Sequence, residues 1–296
     1  MGAMISLVVC TLGRKEPLGR LLASLAQQTY RTFGIIVVDQ NPEGYLDPVF
    51  DEHPDLPIIR ARSEKGLSRG RNAGLKQANG DIIGFPDDDC WYDPDVLQTV
   101  ASFFAACPEI DLLSGRTFDA EGNDSVNRYW PESVPITRLN VFGTGNSNTI
   151  FIRRGALEGV SGFDETLGVG ANTPFQAGEE SDLLLRCLDR GYRGFYDRDF
   201  VVRHDQVVET MERLHAYSVG FGRVARLHNL GPSLFLPRNV RTVLGGCLRV
   251  AKGDFEGARQ RYACFAGSMR GYAAPLPHSG ECPAGSSEMR GGAHGP

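Results

Sequence analysis

An apolar run that ends in three aspartates constrains the fold of this chain more than any other feature. Residues 82–85 predict a buried parallel strand, and Asp87, Asp88 and Asp89 follow it after Pro86. In open α/β sheets, ligands bind beyond the carboxyl ends of the strands. Three adjacent carboxylates repel one another unless a cation lies among them, and a divalent ion shared with substrate phosphates is the natural candidate.

The alternative interpretation of this stretch is a turn of solvated acids that leads into the next helix. Asp93 and Pro94 suit the N-cap and the first turn of such a helix. This accounts for Asp93 and Asp95 but leaves the three aspartates unexplained. The ligand site is therefore the favoured interpretation.

Composition places the chain among ordinary globular proteins. It has 296 residues, of which 41% are hydrophobic and 23% are charged. Its net charge of -5 argues against a general nucleic-acid binder. The seven cysteines form no Cys-x-x-Cys pair, so neither a disulfide framework nor a zinc site is indicated, and a reducing cytoplasm fits. We expect no signal segment and no membrane-spanning helix, because no apolar run approaches the required length.

The order of the predicted elements indicates a parallel α/β sheet. Apolar runs predict strands over residues 5–10, 33–38 and 57–59, with the acidic strand as the fourth. Helices are predicted from Pro17, within the run 65–74 with Ser68 as its cap, and from Asp95. This alternation is typical of a parallel sheet with right-handed crossovers.

Four predicted strand ends carry polar residues. They are Thr11 with Arg14, then Asp39, the run 65–72, and the aspartates at 87–89. Each alone has an ordinary explanation as a cap or a solvated loop. Together they suit a nucleoside diphosphate that a metal bridges to the protein. No Gly-x-Gly-x-x-Gly follows the first strand and no Gly-Lys-Ser/Thr P-loop occurs, which argues against NAD and ATP sites of those types.

Five runs, in consistent order, resemble the nucleotide-binding half of family 2 glycosyltransferases. They are residues 9–14, 24–30, 36–39, 66–74 and 85–89. The resemblance continues through residues 161–165 and 178–186 and fades after Leu227, so it covers roughly three-quarters of the chain. It implies the GT-A fold, a Rossmann-like, mostly parallel sheet flanked by helices, together with nucleotide-sugar donors and inversion of the anomeric centre.

The resemblance also implies roles for individual residues. The implied donor-binding residues are Thr11, Leu12, Arg14, Asp39, Gly66, Leu67, Arg71, Asn72, Asp87 and Asp88. Asp89, with Asp87 and His204, would hold Mg2+ or Mn2+ on the diphosphate, although a lone histidine after an apolar strand is also typical of a core residue. Gln40-Asn41-Pro42 and Pro86 depart from the family pattern, which leaves the base and the sugar open.

Two further acids are candidates for the catalytic base. Within the resemblance, Glu180 matches the carboxylate that takes the proton of the acceptor hydroxyl, and Asp182 is the second candidate. The structural alternative is that acids in the first turn of a helix stabilise its dipole, and for Asp182 this is the favoured account.

The predicted domains are a GT-A catalytic domain over 1–230, a helical extension over 231–272 and a disordered tail over 273–296. The catalytic domain divides into a nucleotide-sugar-binding half (1–115) and an acceptor half (116–230). The extension consists of two helices that break at Gly253 and carry both apolar and basic residues. It either lies on an anionic membrane surface or packs on the catalytic domain or a second subunit.

The resulting hypothesis is a metal-dependent, inverting glycosyltransferase of the hexosyltransferase type. It would move a sugar, with UDP as the expected carrier, to a saccharide or polyprenyl-diphosphate-linked acceptor in surface polysaccharide synthesis. We expect it in the cytoplasm or peripherally on the inner face of the plasma membrane, with no nucleic-acid partner. The alternatives are a sugar nucleotidylyltransferase, whose Gly-rich basic loop after the first strand is absent, and a non-catalytic nucleotide-sugar-binding module.

Overall fold

Nine strands among residues 2–276 form one sheet in the computed structural model, which describes those residues. The strands are β1 (Ile5–Thr11), β2 (Phe33–Asp39), β3 (Ile58–Arg62), β4 (Ile82–Gly84), β5 (Cys90–Trp91), β6 (Leu112–Phe118), β7 (Val134–Ile136), β8 (Phe151–Arg153) and β9 (Gly194–His204). The helices are α1 (Lys15–Ala26), α2 (Asp47–Asp51), α3 (Leu67–Leu75), α4 (Val96–Ala106), α5 (Val141–Thr144), α6 (Arg154–Val160), α7 (Glu179–Asp189), α8 (Met211–Leu227), α9 (Leu236–Ala251) and α10 (Phe255–Ala273).

The strand order confirms the predicted α/β sheet. It is β3-β2-β1-β4-β8-β6-β9-β5, with β7 paired to β9. The first four strands in this order are parallel to one another. β8 runs antiparallel to β4 and β6, whereas β6 and β9 are parallel. β3, β2, β1 and β4 therefore form a parallel sheet, and antiparallel pairs join β4 and β5 to strands that come later in the chain.

The register of the parallel strands brings the predicted site residues to one edge. Thr11 at the end of β1 pairs with Asp39 at the end of β2, and Asp39 pairs with Arg62 on β3. Gly84 at the end of β4 pairs with Leu7, so the aspartates that follow β4 leave the sheet at the same edge. The polar strand ends are neighbours for this reason.

Apolar side chains cover both faces of the sheet. On one face, the predicted apolar stripe of α1 is fully buried; it consists of Leu18, Leu21, Leu22 and Leu25. On the other face, Leu183, Leu184 and Leu185 of α7 belong to the buried cluster that also includes Val8 of β1. Burial of each such side chain stabilises the fold by about 1.5–3 kcal/mol. The core thus holds α7 on the face of the sheet opposite α1.

The predicted cap of α3 was wrong. The residue before α3 is Gly66, which has φ 136° and which few other residues could replace. Ser68 is not the cap, because its hydroxyl donates to the Leu167 carbonyl over 2.6 Å. The predicted start of α4 at Asp95 is confirmed to within one residue, because Asp95 immediately precedes the helix; Asp93, the cap in the alternative interpretation, lies two residues earlier.

The C-terminal part contains the two predicted helices, α9 and α10, which separate at Gly253. α10 packs along α8 so closely that a Cβ at Gly222 would clash with the Ser268 carbonyl oxygen. Among residues 2–276, no helix combines the length and the apolarity needed to cross a bilayer. Ala273 is the last residue of α10, and most of the predicted disordered tail, residues 277–296, lies outside the described residues.

Candidate active site

Arginine side chains neutralise the aspartates that follow β4. Arg14 Nη1 donates to Asp88 Oδ1 over 2.9 Å and also contacts Asp89. Arg71 Nη2 donates to Asp87 Oδ1 over 3.2 Å. Burial raises the pKa of Asp88 to about 6, although the charge of Arg14 opposes that rise. Two guanidinium groups therefore lie among these acids, which the sequence analysis had not anticipated.

Asp89 and His204 form a pair because of strand register. β5 follows Asp89 at once, and its first residue, Cys90, pairs with His204 at the end of β9. His204 Nε2 lies 3.1 Å from Asp89 Oδ1. Burial would raise the pKa of Asp89, but the His204 hydrogen bond and the Arg14 charge lower it overall. An ionised carboxylate and an imidazole thus stand together at the open edge of the sheet.

Asp39 is buried at the end of β2, and its neighbours occupy part of its carboxylate. Oδ1 accepts two hydrogen bonds from Asn41, each of 2.8 Å. Among residues 2–276, Oδ2 has only the long contact to Arg62 Nη1, at 3.4 Å. Gln40, which departs from the family pattern, ties the end of β2 to the α3 loop by donating to the carbonyl oxygens of Glu64 and Gly66. Oδ2 is therefore more available than Oδ1 to accept a hydrogen bond from a nucleobase.

Arg71 connects the acidic trio to the start of α7. Its side chain is only 2% exposed, and Nη1 donates to Glu179 Oε1 over 3.2 Å while Nη2 binds Asp87. α3 brings it there by lying close to the sheet, because a Cβ at Gly70 would come within 2.8 Å of Cys10 Sγ. Asp87 and Glu179 are far apart in the chain, and this guanidinium group holds them together; we call the partly exposed surface beside this bridge the cleft.

Glu180 lies beside this bridge at the first turn of α7. It is half-buried and forms no ion pair within residues 2–276. Burial, with the adjacent charge of Glu179, raises the pKa of Glu180 well above the usual carboxylate range. A carboxyl group with a raised pKa and no ion-pair partner is suited to proton transfer.

Two predicted site residues make their contacts elsewhere. Asp182 is buried and accepts hydrogen bonds from Arg186 Nε over 2.8 Å and from His228 Nε2, 2.9 Å away. Asn72 exchanges hydrogen bonds with the backbone of Phe163, at 2.8 and 2.9 Å. Both side chains tie α-helices to neighbouring segments, and for Asp182 these contacts come in addition to the helix-dipole role expected from its place in the first turn of α7.

The remaining predicted donor residues line the same edge of the sheet. Leu12 is 42% exposed after β1. Gly66 and Leu67 meet the loop before α7, since the Leu67 N–H donates to the Val169 carbonyl over 2.8 Å. That loop therefore lies against the start of α3 and beside the cleft.

Tyr217 and Arg213 on α8 are site residues that the sequence analysis missed. α8 touches the chain just before Glu179, because a Cβ at Gly220 would clash with the Ala177 carbonyl oxygen. Tyr217 lies almost one turn earlier on α8, and Arg213 Nη2 donates to its hydroxyl over 3.1 Å. Partial burial raises the pKa of Tyr217 to about 12; Arg213 opposes this rise, and the charges of Glu180, Glu179 and Asp87 add to it. The half-exposed ring thus lies near enough to the candidate base for the charge of Glu180 to act on its hydroxyl.

The side chains fit a divalent metal only if a ligand completes its coordination. Within residues 2–276, no three His, Cys, Asp or Glu side chains converge on one metal position. Asp89 and His204 supply one oxygen and one nitrogen. Mg2+ and Mn2+ commonly take one or two protein ligands, with water and substrate phosphates at the other positions. The pair therefore suits a metal that arrives with a diphosphate.

Comparison with known proteins agrees with this architecture. A family model described as Glycosyl transferase family 2 matches residues 6–163. The glucosyl-dolichyl phosphate glucuronosyltransferase of Haloferax volcanii is 27% identical over 221 residues, which cover 68% of this chain and 68% of that protein. Against two other curated relatives the chain spans only 37% and 42% of their lengths.

Solved structures share the fold at low sequence identity. The Pyrobaculum calidifontis mannosyltransferase PcManGT, solved with GDP-Man and Mn2+, superposes with a TM-score of 0.64 at 15% identity, covering 92% of this chain and 87% of that one. S. aureus TarS 1-349, solved with UDP-GlcNAc, gives 0.58 at 18% identity, with 91% and 89% covered. The family match spans more than half of the chain, and the chain therefore belongs to glycosyl transferase family 2 and is a glycosyltransferase with the GT-A fold.

Proposed function

We propose that this glycosyltransferase is an inverting enzyme that uses a nucleoside diphosphate sugar and a divalent metal. One observation carries the proposal: Arg71 binds both Asp87 of the acidic trio and Glu179, the neighbour of Glu180. A donor site and a candidate base therefore face one cleft. A nucleotidylyltransferase or a non-catalytic module would not need a base in that position.

The donor would lie along the carboxyl edge of the parallel strands. Asp39 Oδ2 would bind the nucleobase. Arg14 and the start of α3 would bind the phosphates. UDP is the carrier we favour, and the relatives solved with UDP-GlcNAc and with GDP-Man show that this fold accepts either carrier. Gln40 holds the loop beside the nucleobase position, and the residues there would select between UDP and GDP.

Asp89 and His204 would hold Mg2+ or Mn2+ on the diphosphate, with Asp87 and Asp88 reserved for the donor and the arginines. The bound metal would supply positive charge for the departing diphosphate. Arg14, already beside Asp89, would stabilise the same developing charge. PcManGT was solved with Mn2+, which supports a metal in a site of this fold.

Glu180 would act as the general base on the other side of the sugar. Its carboxylate takes the proton of the acceptor hydroxyl as the oxygen attacks the anomeric carbon and the bond to the diphosphate breaks. A positioned carboxylate contributes about 100- to 10,000-fold to such a step. A single displacement of this kind inverts the anomeric configuration.

The acceptor would enter between α8 and the loops over residues 116–138 and 168–178. We favour a saccharide or polyprenyl-diphosphate-linked acceptor in surface polysaccharide synthesis, and the Haloferax relative is named for a dolichyl phosphate-linked saccharide. A cytoplasmic setting is part of this proposal. The cysteines among residues 2–276 are all free thiols, which supports it.

Donor binding with and without metal tests the proposal directly. We expect a UDP- or GDP-sugar with Mn2+ or Mg2+ to raise the melting temperature by several degrees, because a ligand at 100 times its Kd stabilises by about 2.7 kcal/mol. Asp89→Asn should abolish the metal-dependent part of the shift. Asp95→Asn, at the start of α4, is the matched control and should keep it. Equal shifts with EDTA and with Mn2+ in the unaltered protein would count against the metal.

Tyr217 is expected to bind the acceptor. Tyr217→Ala should raise the acceptor KM roughly tenfold, because an aromatic contact contributes about 0.5–1.5 kcal/mol beyond its buried area. The donor KM should stay unchanged. Tyr217→Phe keeps the ring and should behave like the unaltered enzyme; an equal rise in both variants would assign the effect to the hydroxyl and Arg213 instead.

A further inference from the structure

Helix α9 presents its large apolar side chains to the outside. Leu236, Val240, Leu244 and Leu248 recur every four residues and are 60%, 48%, 58% and 63% exposed. Within α9 the buried residues are Asn239 and Gly246, neither of which carries a large apolar side chain. Amphipathic helices of globular proteins normally bury their apolar stripe. We call these four residues the α9 stripe, and its exposure marks an interaction surface.

The opposite side of α9 is firmly attached to the protein. Gly246 lies against Tyr262 of α10, because a Cβ there would come within 2.8 Å of the ring. Asn239 Nδ2 donates to the Phe235 carbonyl, and the Phe235 ring stacks on Tyr272 with centroids 4.1 Å apart. The helix is thus fixed with the stripe outward, and rotation to bury the stripe would break these contacts.

The charges beside the stripe are positive. Residues 236–252 contain Arg238, Arg241, Arg249 and Lys252 but no aspartate or glutamate. Arg249 pairs with Asp254, and Arg238 stacks over Phe221 at 4.2 Å. Arg241 and Lys252 form no ion pair within residues 2–276 and are exposed. An apolar stripe with cations at its edge complements a surface that is apolar beneath a layer of anionic groups.

Other occupants fit this surface less well. In a symmetric dimer the same patch meets itself, which would bring arginines together with no acid of α9 to balance them. Residues 277–296 contain a single large apolar side chain, Met289, so their composition offers nothing to cover four aliphatic residues. An anionic bilayer supplies both the apolar layer and the negative charge.

We propose that the α9 stripe binds the surface of an anionic membrane, with its leucines at the boundary between headgroups and acyl chains. Phe255, 70% exposed at the start of α10, extends the apolar surface. α10 is packed tightly on α8, which carries Tyr217 beside Glu180, so docking would hold the acceptor side of the cleft at a fixed position relative to the lipid. This docking goes beyond the proposed function and does not depend on it.

Vesicle sedimentation of the full chain tests the proposal. We expect binding to phosphatidylcholine vesicles that contain about 30% phosphatidylglycerol, and much weaker binding to phosphatidylcholine alone. The double variant Leu244→Glu with Leu248→Glu should lower the partition coefficient at least about tenfold. Leu139→Glu is the matched control, because Leu139 is also 58% exposed but lies outside α9. It should bind as the unaltered protein does.

Three results would overturn the proposal: no binding to either vesicle, equal loss in the Leu139→Glu control, or a stripe-dependent dimer that forms without lipid and excludes vesicles. Circular dichroism of each variant shows whether it is folded, and Arg241→Glu offers a second variant that leaves every leucine in place. Donor-induced thermal shifts on the same samples separate the two proposals. If the unaltered protein fails to bind vesicles but keeps its donor shift, only the membrane surface is rejected. If it binds vesicles but shows no donor shift, only the donor site is rejected.

Discussion

Glu180→Gln should lower kcat by about 100- to 10,000-fold and leave the donor Kd within about twofold. The substitution keeps the size of the side chain and removes its ability to take a proton. Donor contacts should persist, because Arg71 still pairs with Glu179 and Asp87 in the variant. The measurement is single-turnover sugar transfer together with donor titration by calorimetry.

The pH dependence of the unaltered enzyme gives a second readout of the same residue. Burial and Glu179 raise the pKa of Glu180, so this carboxyl group stays protonated at a higher pH than an ordinary glutamate. A base must be deprotonated, and turnover should therefore rise with pH until Glu180 is ionised. In Glu180→Gln the residual rate should lose this rise.

Glu212→Gln is the matched control, since Glu212 is an exposed acid in the first turn of α8. It should retain full activity. If Glu180→Gln turns over at the rate of this control, Glu180 is not the base. Because Asp182 already binds Arg186 and His228, the base would then have to be sought outside the first turn of α7.

The parts of the molecule that were predictable from sequence depend on local patterns. Apolar runs located β1, β2 and β4 to within a few residues, because a parallel strand buried on both faces leaves a continuous apolar signature. The carboxyl ends of such strands share one edge, so placing Asp39 and the acidic trio together required only the strand order.

The parts that were not predictable depend on contacts between distant segments. Arg71 and Glu179 are 108 positions apart, and neither sequence neighbourhood indicates the other. Ser68 is of a residue type that commonly caps helices, yet its hydroxyl donates to the carbonyl oxygen of Leu167, which lies 99 positions away in the sequence. Tyr217 lies near Glu180 because Gly220 allows α8 to contact Ala177, just before α7, which no helical periodicity reveals.

Arg71→Met should lower the free energy of unfolding by about 3–5 kcal/mol, because removing one member of a buried ion pair leaves the other charges uncompensated. The Arg71 side chain is 2% exposed and forms ion pairs with two carboxylates. The side chain of Glu179 is 7% exposed and that of Asp87 is 30% exposed. Urea titration at neutral pH measures the loss. Activity should fall as well, since the start of α7 would no longer be held beside the acidic trio.

Arg14→Met provides the comparison, because Arg14 also serves two aspartates but is 49% exposed. Solvent screens that ion pair, so its loss should cost no more than about 1 kcal/mol. Adding Glu179→Gln to Arg71→Met removes the more deeply buried orphan charge and should recover part of the stability, whereas Asp87 retains some access to water. Equal losses in Arg71→Met and Arg14→Met, or no recovery in the double variant, would mean that other contacts hold α7 at the cleft. Recovery of stability without recovery of activity would instead identify the guanidinium group itself as part of the donor site.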